Sequence, residues 1–95
     1  MRDEQIGAIA KYLKSMSHPI RLKILYLLLD GELTVGELRQ RLDTTGANLS
    51  QHLQTLRDLG VVVSEKKGNA VRNHIADKRF TELIYRMRQL FCPDE

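Results

Sequence analysis

The chain has 95 residues, a formal net charge of +3 and a pI of about 9.2. Hydrophobic residues make up 42% and charged residues 28%, which is the composition of an ordinary folded domain and excludes a disordered chain. The longest apolar run, Ile24–Leu29, is too short to span a bilayer, and the charged N-terminus is not a secretory signal. We therefore expect a cytoplasmic protein with no membrane partner, and the single cysteine, Cys92, fits a reducing compartment.

The first half of the sequence predicts two long helices followed by two shorter ones. Apolar residues recur at three- and four-residue spacing from about Asp3 to Met16. A second helix is predicted to open at Ser17 as N-cap, with Pro19 in its first turn, and to be buried because it is apolar nearly all round. It is predicted to stop at Asp30-Gly31.

The next two helices form a predicted helix-turn-helix over about residues 34–59. Thr34 and Glu37 have the spacing of a capping box, which predicts a short helix ending near Leu42. A further helix is predicted after Asp43-Thr44, ending near Leu59 with Gly60 as a left-handed stop. Its inward face is predicted to carry Leu49, Leu53 and Leu56.

The pattern then changes to that of a β-hairpin. Val61–Val63 is β-branched, and Gly68-Asn69 is a typical two-residue turn before a second strand that ends at Ile75. A last amphipathic helix is predicted over about residues 77–91. The fold class is therefore mainly α with a small β-hairpin. We expect one winged helix-turn-helix domain over residues 1–95, in the order helix, helix, helix, helix, hairpin, helix, with the wing at about 61–75.

A helix-turn-helix places the N-terminal half of its second helix in the major groove of DNA. The outward face of that helix is small or polar, no acid lies between Thr44 and Arg57, and a helix N-terminus attracts phosphate. The alternative is an ordinary solvated helix face. The predicted DNA-binding residues of this helix are Thr45, Asn48, Ser50, Gln51 and Gln54.

The predicted wing adds a basic cluster to that helix. Lys66, Lys67, Asn69 and Arg72 surround its tip, where they would contact the DNA backbone and contribute affinity rather than sequence choice. Arg39 and Arg41 could act similarly. We therefore predict a sequence-specific transcriptional regulator. A winged helix used only for protein–protein contact is the main alternative, whereas an enzyme is disfavoured because no phosphate-binding loop or catalytic constellation is found.

The first and last helices, about 3–16 and 77–91, each carry an apolar stripe that so small a domain cannot easily bury. Both are therefore predicted to contribute to a homodimer interface. A two-fold dimer presents two recognition helices roughly 34–36 Å apart, which suits a palindromic operator in double-stranded DNA.

Three stretches, Leu13–Leu25, Glu32–Leu38 and Asn48–Val62, resemble repressors of the ArsR/SmtB family, and the similarity covers almost the whole chain. The resemblance implies a repressor that dimerises through its first and last helices and loosens its hold on DNA when an inducer binds elsewhere. Metal-sensing members have cysteines where this chain has Thr34 and Gly36, and the last helix here lacks histidine. Since His18, His52 and His74 also lack ligand spacing, no metal or other cofactor is expected and each histidine is predicted to be structural.

The segment Leu90–Pro93 resembles the end of the HlyU/BigR-like branch, which senses reactive sulfur or oxidants. Members of that branch pair this cysteine with another in the second helix, at a position that corresponds to Tyr26 here. An intrachain bridge is therefore excluded. A single-thiol redox or persulfide response through Cys92 is one hypothesis, and pairing of the two Cys92 residues between subunits is a second. An inert cysteine is the third.

Overall fold

The computed structural model describes residues 1–94, which form five helices and a three-stranded sheet. The order of elements confirms the predicted winged helix-turn-helix, with one additional short strand before the helix-turn-helix. The elements are α1 (Asp3–Met16), α2 (Pro19–Leu28), β1 (Leu33–Thr34), α3 (Val35–Arg41), α4 (Gly46–Asp58), β2 (Val62–Lys67), β3 (Ala70–Ile75) and α5 (Lys78–Phe91).

The start of α2 differs from the sequence prediction. The N-cap is His18 rather than Ser17, and its ring Nδ1 accepts a hydrogen bond of 3.1 Å from the backbone N–H of Ile20. An imidazole nitrogen thus does the work that a serine hydroxyl usually does at a helix start. The Ser17 hydroxyl instead donates backwards to the carbonyl of Lys14 at the end of α1, 2.8 Å away.

The caps of the helix-turn-helix follow local sequence closely. Thr34 Oγ1 accepts from the N–H of Glu37 at 3.1 Å, and a Glu37 carboxylate oxygen accepts from the N–H of Thr34 at 3.0 Å, which completes the predicted capping box. After α4 the chain reverses at Gly60, whose φ of +70° lies in the left-handed region that favours glycine. The strands of the wing follow directly.

The wing is part of a sheet with strand order β1-β3-β2, both pairs being antiparallel. The hairpin turns at Gly68, with a φ of +64°, as predicted. Strand β1 is not predicted from the sequence; it has only two residues and pairs Leu33 with Asn73 and Thr34 with Arg72. This pairing ties the start of the helix-turn-helix to the wing.

A core of aliphatic side chains lies between the helices and the base of the sheet. Its centre is formed by Ile24 and Leu25 of α2, which are fully buried as predicted for the central helix. The predicted inward face of α4, Leu49, Leu53 and Leu56, is also fully buried. Because this face fixes how α4 is rotated, it also decides which side chains of α4 point away from the protein.

Candidate nucleic-acid interface

The N-terminal turn of α4 is exposed and held by its own hydrogen bonds. Thr45 is the N-cap, and its hydroxyl accepts from the N–H of Asn48 at 3.1 Å. The side-chain amide of Asn48 donates to the hydroxyl of Thr44 at 2.7 Å. The helix therefore begins at a defined residue, with small polar groups and no acid in its first turn.

The five predicted DNA-binding residues of α4 are all exposed on the side opposite the buried leucines. Ser50 and Gln51 are directed away from the core. Gln54 differs from them because both ends of its amide are engaged: its oxygen accepts from Arg57 at 3.1 Å, and its nitrogen donates to Asp58 at 2.7 Å. Of the two glutamines, Gln51 is thus the better placed to bind a base edge.

A guanidinium group lies against the start of α4. A Cβ atom at Gly46 would be only 3.2 Å from Nη1 of Arg39, which shows how closely the Arg39 side chain packs over this turn. Arg39 comes from the last turn of α3. Its positive charge and the N-terminal end of the α4 dipole therefore favour an anion at the same place.

The wing carries the predicted basic residues, but they are not equivalent. Lys66 and Asn69 are exposed near the turn. The Lys67 ammonium donates to both carboxylate oxygens of Glu32, at 2.9 and 2.8 Å. These hydrogen bonds hold the pKa of the Glu32 carboxyl below its ordinary value and raise the pKa of Lys67, so the pair stays charged.

A second acid faces the wing from α3. Arg72 Nη1 lies 3.6 Å from a carboxylate oxygen of Glu37, whose pKa is lowered first by its hydrogen bond from the Thr34 backbone. His74 lies between two carboxylates, 3.7 Å from Glu32 and 3.4 Å from Glu65. Two of the four predicted wing residues, Lys67 and Arg72, thus have acidic neighbours that lie far from them in the sequence.

Two of the histidines that the sequence places far apart are in contact. The rings of His18 and His52 are 4.2 Å apart between centroids, and Arg21 Nη1 lies 3.2 Å from Nδ1 of His52. Burial is the main reason that the pKa of His52 is lowered, followed by the charges of His18 and Arg21. Within residues 1–94, no three His, Cys, Asp or Glu side chains are grouped so as to hold a metal ion.

Cys92 is an exposed free thiol at the C-cap of α5. It shares a shallow surface depression with Tyr85 and Arg88. Tyr26, which the resemblance places at the position of that branch's second cysteine, is half-buried in α2. A redox role for Cys92 stays a prediction.

An apolar face on α1 and α5 has no covering element in the part of the chain that the structure describes. A groove between the two helices is lined by Ile9, Leu13, Phe80 and Leu83, and 43%, 48% and 37% of Ile9, Leu13 and Leu83 respectively are exposed. Exposed aliphatic side chains grouped in this way are typical of an interaction surface. None of the described helices has the length and hydropathy needed to cross a lipid bilayer.

The chain matches known proteins over the region just described and beyond it. The family model for bacterial regulatory proteins of the arsR family matches residues 18–64, which run from the start of α2 into β2. A biofilm growth-associated repressor from Xylella fastidiosa is 30% identical over 93 residues, which cover 98% of this chain and 82% of the relative. The transcriptional activator HlyU from Vibrio cholerae is 40% identical over 80 residues, covering 84% of this chain and 74% of the relative.

Solved structures agree with the sequence matches. The structure of HlyU from Vibrio cholerae superposes with a TM-score of 0.90 and 35% identity, over 96% of this chain and 99% of that one. A homodimeric winged helix-turn-helix DNA-binding domain from Mycobacterium bovis has a TM-score of 0.84 over 95% of this chain and 86% of that one. At 24% identity, the second similarity concerns the fold alone. The two relatives matched by sequence are named as transcriptional regulators and not as enzymes.

Proposed function

The chain belongs to the arsR family of bacterial regulatory proteins and is a transcriptional regulator rather than an enzyme, and from this premise we propose that it represses transcription by binding a palindromic operator as a homodimer. The observation that carries the proposal is the outward face of α4, which is exposed, polar and free of acids in its first turn. Arg39 lies at its N-terminus. A groove-binding helix needs this combination of base-reading amides and phosphate-attracting charge.

Different side chains have different parts in the proposed complex. Ser50 and Gln51 contact base edges. Thr45 and Asn48 hold the first turn of α4 against the sugar–phosphate backbone of the DNA. Gln54 supports this surface through its bonds to neighbouring side chains.

The residues of the wing contact phosphates in the proposed complex. Lys66 and Asn69 do so directly. Lys67 and Arg72 do so in competition with the carboxylates of Glu32 and Glu37, respectively.

The proposed dimer is supported by the uncovered apolar face of α1 and α5. Burying this face against its copy removes aliphatic surface from water, which stabilises so small a domain. A two-fold axis through the interface relates the two α4 helices, and their separation would then have to match one helical turn of DNA. A palindromic operator is the sequence counterpart of that symmetry. Since bacterial DNA lies in the cytoplasm, the proposal also places the protein there.

The function is tested by selecting from a pool of duplexes with a randomised central region, using the purified full chain. Enrichment of a palindrome is the expected result, and the spacing of its half-sites gives the distance between recognition helices. A folded dimer that enriches no sequence would overturn the proposal and favour a protein-binding winged helix. The Vibrio cholerae relative is named an activator. A reporter gene carrying the selected site, measured with and without the protein, then shows whether the protein lowers or raises transcription.

A further inference from the structure

The wing contains one fully buried polar side chain, Asn73 in the central strand β3. A buried amide destabilises a protein unless its hydrogen bonds are made. Here the amide nitrogen donates to the backbone carbonyl of Leu33 at 3.1 Å, and the amide oxygen accepts from the hydroxyl of Ser64 at 2.5 Å. Leu33 and Ser64 are also the residues paired with Asn73 on either side of β3. The three strands are thus joined by side-chain bonds at a single level.

These bonds continue into the recognition helix. Arg57, in the last turn of α4, donates through Nη1 to the hydroxyl oxygen of Ser64 at 2.9 Å. Through Nη2 it also donates to the side-chain oxygen of Gln54 at 3.1 Å. An unbroken path of hydrogen bonds therefore runs from the exposed face of α4 through β2 and β3 to β1.

From Arg57 to β1, each donor in this path points towards the sheet. The guanidinium of Arg57 donates to Ser64, Ser64 donates to Asn73, and Asn73 donates to a backbone carbonyl. A bond from a charged donor is stronger than a neutral one, and each bond polarises the next in the chain. The path is therefore expected to be more rigid than three separate hydrogen bonds.

The hydrogen-bonded path meets the wing between the base of the hairpin and its turn. The base of the hairpin is held by buried Val61 and Val62, whereas the strand ends near the turn, including Lys66 and Lys67, are exposed. Ser64 and Asn73 face each other between these regions. A bond at this level limits how far the outer part of the hairpin can twist or swing relative to α4.

We infer that Arg57, Ser64 and Asn73 form a relay that sets the position of the wing relative to the recognition helix, so that Ser64 and Asn73 are positioning residues for DNA binding. This inference rests on the proposed function, because it assumes that wing and helix contact the same duplex. Neither side chain needs to touch DNA. Their effect is that the lysines of the wing reach phosphates while α4 is seated in the groove.

The decisive test is a double-mutant cycle between Ser64→Ala and Lys66→Ala, read as affinity for the operator selected with the parent protein. Lys66 is exposed and is not a member of the relay. If the relay positions the wing, Lys66→Ala weakens binding clearly in the parent but only slightly in the Ser64→Ala protein. The departure from additivity should exceed about threefold, since the effects of independent sites usually add to within about twofold. Additive effects would overturn the inference.

Two further variants separate positioning from general destabilisation. Ser15→Ala removes the hydroxyl of a buried serine, which donates within α1 to the carbonyl of Tyr12. It should leave the effect of Lys66→Ala unchanged. Arg57→Gln interrupts the relay at its first donor and should reproduce the non-additivity of Ser64→Ala. If Ser64→Ala does not fold, the cycle with Arg57→Gln decides the question by the same criterion.

Amide hydrogen exchange of the free protein gives an answer that does not depend on DNA. In Ser64→Ala, amides of β2 and β3 should exchange faster, while those at the centre of α2 keep the parental rate. Unchanged exchange in the wing would overturn the relay even if DNA binding were altered. A parent protein that selects no DNA would instead refute the proposed function, while faster exchange would still uphold the relay as the element that orders the wing.

Discussion

The ammonium group of Lys67 lies 2.8 Å from a carboxylate oxygen of Glu32, a residue 35 positions earlier in the chain. Phosphate oxygens of DNA would have to compete with this carboxylate for the same cation. Glu32→Gln removes the competitor and should raise affinity for DNA by roughly twofold to fivefold, the range typical of an exposed ion pair. The increase in affinity should be similar for all DNA sequences. The slope of log affinity against log salt concentration should become steeper by up to about one, which corresponds to one more released counterion.

The same relationship makes the wing lysines unequal. In the parent, Lys66→Ala should weaken binding more than Lys67→Ala, whereas with Glu32→Gln in place the two losses should become similar. Asp94→Asn, the same change of charge at an exposed site beyond α5, is the matched control. Fluorescence anisotropy over a series of salt concentrations measures all of these variants. Equal losses from the two lysines in the parent would show that Glu32 does not restrain Lys67.

Gln51 is expected to provide sequence choice. Gln51→Ala should weaken binding to the selected operator by roughly 1–3 kcal/mol and relax preference at one base pair in each half-site. Gln89→Ala, an exposed glutamine on α5, should leave both quantities unchanged. Repeating the duplex selection with each variant is the measurement. A Gln51→Ala protein that enriches the parental sequence with equal stringency would remove Gln51 from the reading residues.

The apolar face of α1 can be tested by introducing a charge. Leu13 is 48% exposed, and Leu13→Glu would place a carboxylate in the proposed interface without filling or emptying the core. The variant should be monomeric by sedimentation at micromolar concentration and should lose most of its affinity for a palindrome, because only one half-site is bound at a time. Ala8→Glu, on another face of the same helix, should remain dimeric. A dimeric Leu13→Glu protein would exclude this face as the interface.

Features encoded by neighbouring residues could be predicted from the sequence. The capping box of Thr34 and Glu37, the stop at Gly60 and the turn at Gly68 all depend on residues within a few positions of each other, and the structure confirms each. The buried leucine face of α4 could be predicted equally well, because helical periodicity determines it. Since that face fixes the rotation of α4, the exposure of the polar residues opposite it followed as well.

Features that depend on distant pairing could not be predicted in this way. Two-residue β1 is a strand only because it pairs with β3, about 40 positions later. The partners of Asn73, and the carboxylate beside Lys67, lie 9 to 40 positions away in the chain. The sequence predicts Ser17 as the cap of α2 because serine is a common N-cap, whereas a histidine nitrogen accepting the same bond is unusual. The sequence shows which charged residues the wing contains, whereas only the fold shows which of them form ion pairs.

The contact between α2 and α4 should make stability depend on pH. Arginine only donates hydrogen bonds, so Nδ1 of His52 must be unprotonated to accept from Arg21 at 3.2 Å. Burial, together with the charges of His18 and Arg21, holds the pKa of His52 below its ordinary value of about 6.5. Below about pH 6.5 the unfolded chain therefore binds more protons at this position than the folded protein does. The contribution of His52 to the free energy of unfolding is fully present above that pH and decreases as the pH falls towards the lowered pKa.

Urea unfolding from pH 8 to pH 5, at one protein concentration so that dimerisation does not vary between samples, measures this dependence. His52→Gln is the informative variant, because the glutamine oxygen can accept from Arg21 but does not titrate. Its free energy of unfolding should fall less steeply than that of the parent below pH 6.5. Gln51→Ala, at an exposed position of the same helix, changes no titratable group and should keep the parental slope. Parallel curves for the parent and His52→Gln would mean that His52 does not resist protonation in the folded protein, and the low-pH loss would have to come from other groups.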